Sequence, residues 1–111
     1  MAMKLIFAIV SDEDAPRLMA EVNRAGFRVT KLNSTGGFLR SGNTTLMTVV
    51  DEKSTQDVLD IIHANSKSRK TAINANMPPT TIGTSYVPYP VEVTIGGATV
   101  FVVPVEHFEK F

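Results

Sequence analysis

A glycine-rich stretch in the first half of the chain carries the residue types best suited to holding a small ligand. Its Gly37-x-x-x-x-Gly42-Asn43-Thr44 pattern nearly matches the phosphate loop of nucleotide hydrolases, G-x-x-x-x-G-K-[ST]. Asn43 replaces the lysine that reaches the terminal phosphates. The residues that follow have a strand pattern, so no helix N-terminus faces the anion. The stretch therefore argues against a hydrolase, and a loose hairpin connection that Gly36, Gly37 and Gly42 permit is the plain alternative.

Three kinds of side chain in this region favour a ligand site over a plain connection. Phe38 and Leu39 are consecutive apolar residues at an expected loop tip, where they gain nothing unless they meet a base or a neighbouring subunit. The amide of Asn43 offers both donors and an acceptor, as the edge of an adenine requires. Three basic residues close by in sequence could bind phosphate: Arg28, Lys31 and Arg40. Together these residues predict a pocket for adenine and phosphate.

The remaining reactive side chains do not form a catalytic constellation. Asp12, Glu13 and Asp14 stand at a predicted helix start, where carboxylates favour the helix dipole. The chain has no cysteine and two histidines, which leaves no usual zinc ligand set. The basic residues of the segment 67–70 are expected on a solvated loop. We therefore expect no catalytic residue, no metal and no cofactor.

Composition predicts one ordinary globular domain over residues 1–111. Hydrophobic residues make up 43% of the chain, enough for a single core. Eleven basic and eleven acidic residues cancel, so no overall field attracts DNA or RNA. No apolar run of 18 residues and no leader pattern occur, and we therefore expect a cytoplasmic protein without membrane contact.

The periodicity predicts strand–helix–strand units that would carry these residues. Each of the two helices is preceded by a capping pattern, at Ser11–Asp14 and at Ser54–Asp57, and Gly26 should stop the first. The final segments flank Gly96-Gly97, which we interpret as a hairpin turn. The predicted elements are a strand at 4–10, a helix at about 12–25, strands at 27–33 and 44–51, a helix after Ser54, and the final hairpin. This order predicts an α+β, ferredoxin-like βαββαβ sandwich with an extra C-terminal strand hairpin.

Two features of this fold bear on signalling. The runs "LIFAIV" and "VFVVPV" are apolar at nearly every position, which indicates strands buried on both faces and hence oligomerisation. Residues 66–89 are polar and punctuated by proline and glycine, with little periodicity. We interpret them as a long mobile loop that orders on binding.

Two long motifs, "FRVTKLNSTGGFLRSGNTT" and "YPVEVTIGGATVFVVPVEHF", closely resemble the cyclic di-AMP receptor family, the PII-like signalling proteins known as PstA or DarA. The resemblance spans nearly the whole chain from Met3. It implies a PII-like fold assembled as a homotrimer, a cyclic di-AMP site between adjacent subunits, and no enzymatic activity.

The resemblance also implies roles for individual residues. Arg28 and Thr30 would approach the ring of phosphates and riboses, and Phe101 would line the site from the neighbouring subunit. The adenine would be surrounded by residues of the glycine-rich stretch: Gly36, Gly37, Phe38, Leu39 and Asn43. One departure from the family pattern is Val49, where many members have glycine. A branched side chain there would crowd the base or shift the strand.

Several functional hypotheses follow from the sequence. The leading one is a non-catalytic sensor that binds cyclic di-AMP at trimer interfaces and signals through the 66–89 loop to an unknown downstream protein. A second is a PII-like regulator that binds adenine nucleotides without responding to cyclic di-AMP. Two others are a small nucleotide hydrolase and a structural trimer whose interface is filled without ligand.

Overall fold

The computed structural model describes residues 2–32, 42–74 and 90–111. Within these ranges the chain forms six strands and two helices, with a short 3-10 turn before the second helix. In chain order they are β1 (Met3–Ser11), α1 (Ala15–Arg24), β2 (Thr30–Leu32), β3 (Asn43–Asp51), the turn Glu52–Ser54, α2 (Thr55–Ser66), β4 (Arg69–Asn74), β5 (Pro90–Ile95) and β6 (Ala98–Val105).

Four strands form one antiparallel sheet in the order β2-β3-β1-β6. Each helix joins two strands that have one antiparallel strand between them: α1 leads from β1 to β2 across β3, and α2 leads from β3 towards β6 across β1. This split arrangement is that of the ferredoxin-like sandwich. The predicted fold class is therefore confirmed.

The core lies between the two helices and one face of this sheet. Alternate residues of β1 supply the sheet side, with Ile6, Ala8 and Val10 all buried. From the helices, side chains spaced four residues apart cover them: Leu18 and Val22 on α1, Val58 and Ile62 on α2. That spacing puts each pair on one side of its helix.

The ends of α1 agree only partly with the capping pattern. Gly26 takes a φ of 96° just after the helix, which confirms the predicted glycine stop. Asp14 occupies the N-cap position, but its side chain makes no capping hydrogen bond. Ser54 likewise precedes α2 without a side-chain cap. The Asp14 carboxylate accepts hydrogen bonds from Arg69 instead.

The extra hairpin is built from β4 and β5, which pair antiparallel from Arg69 opposite Ile95 to Asn74 opposite Pro90. We call this two-stranded unit the β4–β5 arm. The prediction that Gly96-Gly97 turns a hairpin between the last two strands is wrong in this detail, because β6 pairs with β1 in the main sheet. The alternation in the sequence identified both strands, but alternation does not say which neighbour a strand chooses.

Part of the segment predicted as a loop is regular structure. Helix α2 runs to Ser66, and β4 occupies Arg69–Asn74 within the predicted 66–89 loop. The sequence "RKTAIN" lacks an apolar alternation, since the arm is not part of the main core, and so it gave no strand pattern. The remaining residues of the predicted loop, 75–89, lie outside the described part of the chain.

Candidate ligand-binding site

Among the residues that the structure describes, no helix covers one face of the four-stranded sheet, and we call this the open face. It carries the odd-numbered residues of β1 and β3, which alternate with the buried ones. Phe7 pairs with Met47 on one side and with Phe101 on the other, and 53% of Phe101 is exposed. The apolar side chains of this face include Leu5, Phe7, Ile9, Met47, Val49, Phe101 and Val103. So much apolar surface on a sheet indicates a contact with another molecule.

The open face becomes polar at one end. Asn43 begins β3 and lies opposite Ser11, the last residue of β1. The next row across the sheet contains Thr45 and Thr99 on either side of Ile9. Hydroxyl and amide groups therefore gather where β3 begins, beside the apolar rows. This is the pairing of chemistry that a base and its sugar require.

Two of the predicted site residues lie in the same row of the open face. Thr30 pairs with Met47, Met47 with Phe7, and Phe7 with Phe101. Three strand spacings separate Thr30 from Phe101, which amounts to about 14 Å. Thr30 and Phe101 of one subunit therefore do not line the same side of a single base.

Asn43 is flanked by two contacts to the turn between β1 and α1. The backbone N–H of Asp12 donates to the carbonyl of Gly42 at 2.8 Å. The hydroxyl of Thr44 donates to Asp12 Oδ1 at 2.5 Å. Asp12 therefore fixes the residue on each side of Asn43. Sequence reasoning assigned Asp12 to helix capping and missed this role, although a threonine at a buried strand position was a sign that it needed a partner.

Arg28 is exposed and precedes β2, and its carbonyl accepts a hydrogen bond from the hydroxyl of buried Thr48. Its guanidinium is thus carried on a backbone position that is anchored to β3. Lys31 lies opposite Leu46, whose side chain is buried on the helix side, so Lys31 belongs to the other face from Thr30. The other predicted site residues lie outside the described residues: Gly36, Gly37, Phe38 and Leu39, with Arg40 beside them.

Val49 lies on the open face opposite Leu5, well away from the polar end. Six residues of strand separate it from Asn43, or about 20 Å. Strand β3 runs without interruption through Val49 in register with β1. Within one subunit Val49 does not crowd a base that contacts Asn43, and its effect on ligand affinity stays a prediction.

A half-buried ion pair lies near the polar end. Arg69 of β4 donates to both carboxylate oxygens of Asp14, at 2.9 Å from Nη2 to Oδ1 and 3.4 Å from Nη1 to Oδ2. The Asp14 side chain is 2% exposed and that of Arg69 is 37% exposed. The hydrogen bonds from Arg69 lower the pKa of Asp14 below its ordinary value of 3.8, while burial acts in the opposite direction. Sequence reasoning expected neither partner, because 55 positions separate them.

A groove of about 400 Å³ opens between the β1–α1 turn, the start of β3 and the end of β5. Asp12, Gly42, Thr94 and Gly96 are among its lining residues. Among the residues the structure describes, no group of three or more His, Cys, Asp or Glu side chains could hold a metal ion. In the same ranges, no helix is long and apolar enough to cross a membrane.

The ferredoxin-like sheet with an open apolar face and an added arm is a PII-like fold. A family model described as "Cyclic-di-AMP receptor" matches residues 3–111. The chain therefore belongs to the cyclic-di-AMP receptor family, as the motifs predicted.

Solved structures similar to this chain include a bacterial protein and a plant protein. A functionally unknown protein from Pediococcus pentosaceus ATCC 25745 is 43% identical, with a TM-score of 0.76, over 100% of this chain and 99% of the other. A PII protein of Arabidopsis thaliana, solved with citrate bound, is 16% identical with a TM-score of 0.53, over 93% of this chain and 74% of the other. The second likeness concerns the fold alone, and it agrees with the PII-like interpretation.

Proposed function

We propose that this protein is a non-catalytic cytoplasmic receptor that binds cyclic di-AMP at the subunit interfaces of a homotrimer. Occupancy of the site changes the conformation of the chain around it, and a downstream protein reads that change. The observation that carries the proposal is the membership of the cyclic-di-AMP receptor family over residues 3–111. The open face is the part of the structure at which we place the proposed subunit interface.

The open face supports an interface rather than a site within one subunit. Its apolar rows have no covering helix, and burying such surface in an oligomer is favourable by about 25 cal/mol per Å². Thr30 and Phe101 of one subunit lie about 14 Å apart across the sheet. The family resemblance implies that the Phe101 of a neighbouring subunit lines the site that contains Thr30.

Each site residue has a role that its chemistry suits. The Asn43 amide pairs with the edge of an adenine, and Arg28 with Thr30 approaches the phosphate–ribose ring. Residues of the glycine-rich stretch surround the base: Gly36, Gly37, Phe38 and Leu39. Phe38 and Phe101 provide stacking or apolar contact, which is worth about 1–3 kcal/mol per base.

A binding role without chemistry is supported by the side chains present. The position of a phosphate-loop lysine is held by Asn43, and Asp12 is engaged with Thr44 and Gly42. The hydrogen bonds from Arg69 lower the pKa of Asp14, which is the reverse of what a general acid needs. The cause of the lowered pKa is the ion pair with Arg69, which is a structural contact.

Calorimetric titration with a panel of cyclic dinucleotides and adenine nucleotides tests the proposal. We expect cyclic di-AMP to bind far more tightly than ATP, AMP or cyclic di-GMP, and to be recovered unchanged after prolonged incubation. Tight binding of ATP without cyclic di-AMP binding would instead favour the adenine-nucleotide regulator. Release of AMP or a linear dinucleotide would favour a hydrolase.

A further inference from the structure

The turn between β1 and α1, residues 11–14, lies between the polar end of the open face and the base of the β4–β5 arm. Asp12 contacts the start of β3 on one side, and Asp14 contacts β4 on the other. The backbone of the turn is itself closed by a hydrogen bond from the Asp14 N–H to the Ser11 carbonyl at 3.0 Å. These contacts make the turn a short and tightly bonded connection between the two regions.

On the β3 side, the turn holds the residues around Asn43. The Asp12 carboxylate accepts from Thr44, and the Asp12 N–H donates to Gly42. Thr44 is 5% exposed whereas Asp12 is exposed, so the bond between them is shielded from water on the Thr44 side only. A movement of Asn43 towards a ligand therefore pulls on Asp12 through both neighbours.

On the arm side, the turn holds Arg69 in a two-pronged ion pair. The planar guanidinium fixes both the distance and the angle of the pair, which a lysine would not do. A third Arg69 hydrogen bond, from Nη1 to the Lys67 carbonyl at 3.3 Å, connects the same side chain to the segment that follows α2. The orientation of β4 at the base of the arm is therefore set by Asp14.

The other strand of the arm is packed against the same ion pair. A Cβ added to Gly96 would lie 2.5 Å from Arg69 Nη1 and 2.9 Å from the Lys67 carbonyl oxygen. The neighbouring Gly97 N–H donates to the carbonyl of Ser66, at the end of α2. In the described residues, β4 and β5 otherwise pack mainly against each other. The base of the arm, where it contacts the end of α2 and the β1–α1 turn, is therefore the place at which the rest of the protein can affect the arm.

We propose that the β1–α1 turn couples occupancy of the nucleotide site to the state of the β4–β5 arm, with the Asp14–Arg69 ion pair as the coupling contact. This inference rests on the proposed function and adds the regulation of its site. Ligand binding at Asn43 shifts Asp12, the closed turn carries the shift to Asp14, and the ion pair transmits it to β4. Because coupling is reciprocal, the arm in turn affects ligand affinity by the same factor.

Hydrogen exchange of the β4 and β5 amides, with and without cyclic di-AMP, tests the coupling in the full-length protein. In the wild type we expect the ligand to change exchange in the arm by about fivefold or more, the lower end of measured couplings. In Arg69→Gln the change should fall below about twofold, while calorimetry still detects cyclic di-AMP binding, weakened by the lost coupling factor.

Lys70→Gln is the matched control. Lys70 is the next residue of the same strand, and its ion pair to Glu92 at 3.4 Å stays within the arm. This variant should keep both the wild-type affinity and the wild-type exchange response. Thr44→Val provides a second route, since it removes the bond to Asp12 at the opposite side of the turn and should also reduce the arm response.

Three outcomes of these experiments would overturn the coupling inference, and one of them would overturn the proposed function as well. An Arg69→Gln or Thr44→Val protein that retains the full ligand-dependent change in the arm overturns the coupling inference. A wild type that binds cyclic di-AMP without any change in β4 and β5 also overturns it, and leaves the proposed function standing. A wild type that does not bind cyclic di-AMP overturns the proposed function and the inference with it.

Discussion

The backbone at Asn43 is held in place through the residues on either side of it. Its two neighbours, Gly42 and Thr44, are both bonded to Asp12. Preorganisation of this kind reduces the ordering cost of binding. The sequence was sufficient to single out Asn43, because an asparagine in the place of a phosphate-loop lysine is visible in the motif. The support from Asp12 was not visible, since it depends on β1 and β3 lying side by side.

Replacing Asn43 should weaken cyclic di-AMP binding without unfolding the protein. Asn43→Ala removes base-edge hydrogen bonds worth about 1–3 kcal/mol, so we expect the dissociation constant to rise by about 5- to 150-fold. Calorimetric titration measures this change, and thermal unfolding checks the fold. Asn23→Ala, an exposed asparagine on α1, is the control and should bind as the wild type does. Unchanged affinity in Asn43→Ala would remove Asn43 from the site.

The Asp14–Arg69 pair should make stability sensitive to acid. The folded-state pKa of Asp14 is lowered by its bonds to Arg69, so the pair stabilises the protein above the unfolded pKa near 3.8, and this stabilisation is lost as the pH falls through the lower folded value. At pH 6 we expect Asp14→Asn to reduce the free energy of unfolding by about 1 kcal/mol, a modest value because Arg69 is partly exposed and screened.

Urea unfolding at several pH values between 6 and 3 measures this effect. The difference between wild type and Asp14→Asn should shrink as the pH drops below about 4. The control, Asp57→Asn, changes an exposed carboxylate in the first turn of α2. A difference between wild type and Asp14→Asn that stays constant down to pH 3 would show that the pair does not stabilise the fold.

At the scale of elements, the sequence predicted the main sheet, its helices and an extra hairpin, but it did not predict strand β4 of the arm. Strands β1, β3 and β6 have apolar residues because they meet the core, and the helices have the matching four-residue spacing, so hydrophobic pattern alone located them. Arg69–Asn74 has no such pattern, because β4 finds its partner in β5 rather than in the core. A strand that pairs with another strand away from the core does not need alternating apolar side chains, so its sequence gives little indication of it.

The glycine at the base of the arm should be required for its packing. Gly96 has a φ of 78°, and an added Cβ would meet the Lys67 carbonyl at 2.9 Å. Gly96→Ala should therefore destabilise the protein by more than about 1 kcal/mol. Gly26→Ala is a matched control, because Gly26 has a φ of 96° with nothing within 4 Å of the added Cβ, and it incurs the backbone strain alone.

Urea unfolding of the two variants compares these costs. The loss of stability in Gly96→Ala should exceed the loss in Gly26→Ala, and the excess reports the contact at the base of the arm. Equal losses would mean that the base of the arm has room for a side chain, contrary to the close packing of Gly96 against Lys67 and Arg69.

At the scale of the whole molecule, the open face presents apolar surface that an assembly of subunits would bury. The sequence indicated that the strands needed cover on both faces, and the structure gives that cover to one face only. What the pattern could not give is the number of subunits, since apolar alternation carries no information about symmetry. The homotrimer therefore depends on the family resemblance, and it stays a prediction.

A charge on the open face should separate the subunits. Phe101→Asp places a carboxylate among apolar side chains that the proposed interface buries, and desolvating it without a partner is costly. We expect light scattering at micromolar concentration to show loss of the trimer. Phe108→Asp is the matched control, because Phe108 is 55% exposed, close to the 53% of Phe101, but lies beyond the end of β6. A trimer that survives Phe101→Asp would move the interface elsewhere.

Native mass spectrometry of the wild-type protein, with and without cyclic di-AMP, tests the central claim most directly, because it counts subunits and ligands in the same particle. The proposed interface sites predict a trimer that takes up to three molecules of cyclic di-AMP, one for each pair of adjacent subunits, and no ligand on any monomer. Cyclic di-AMP bound to a monomer with the same affinity, or a trimer that takes up none, would contradict the claim.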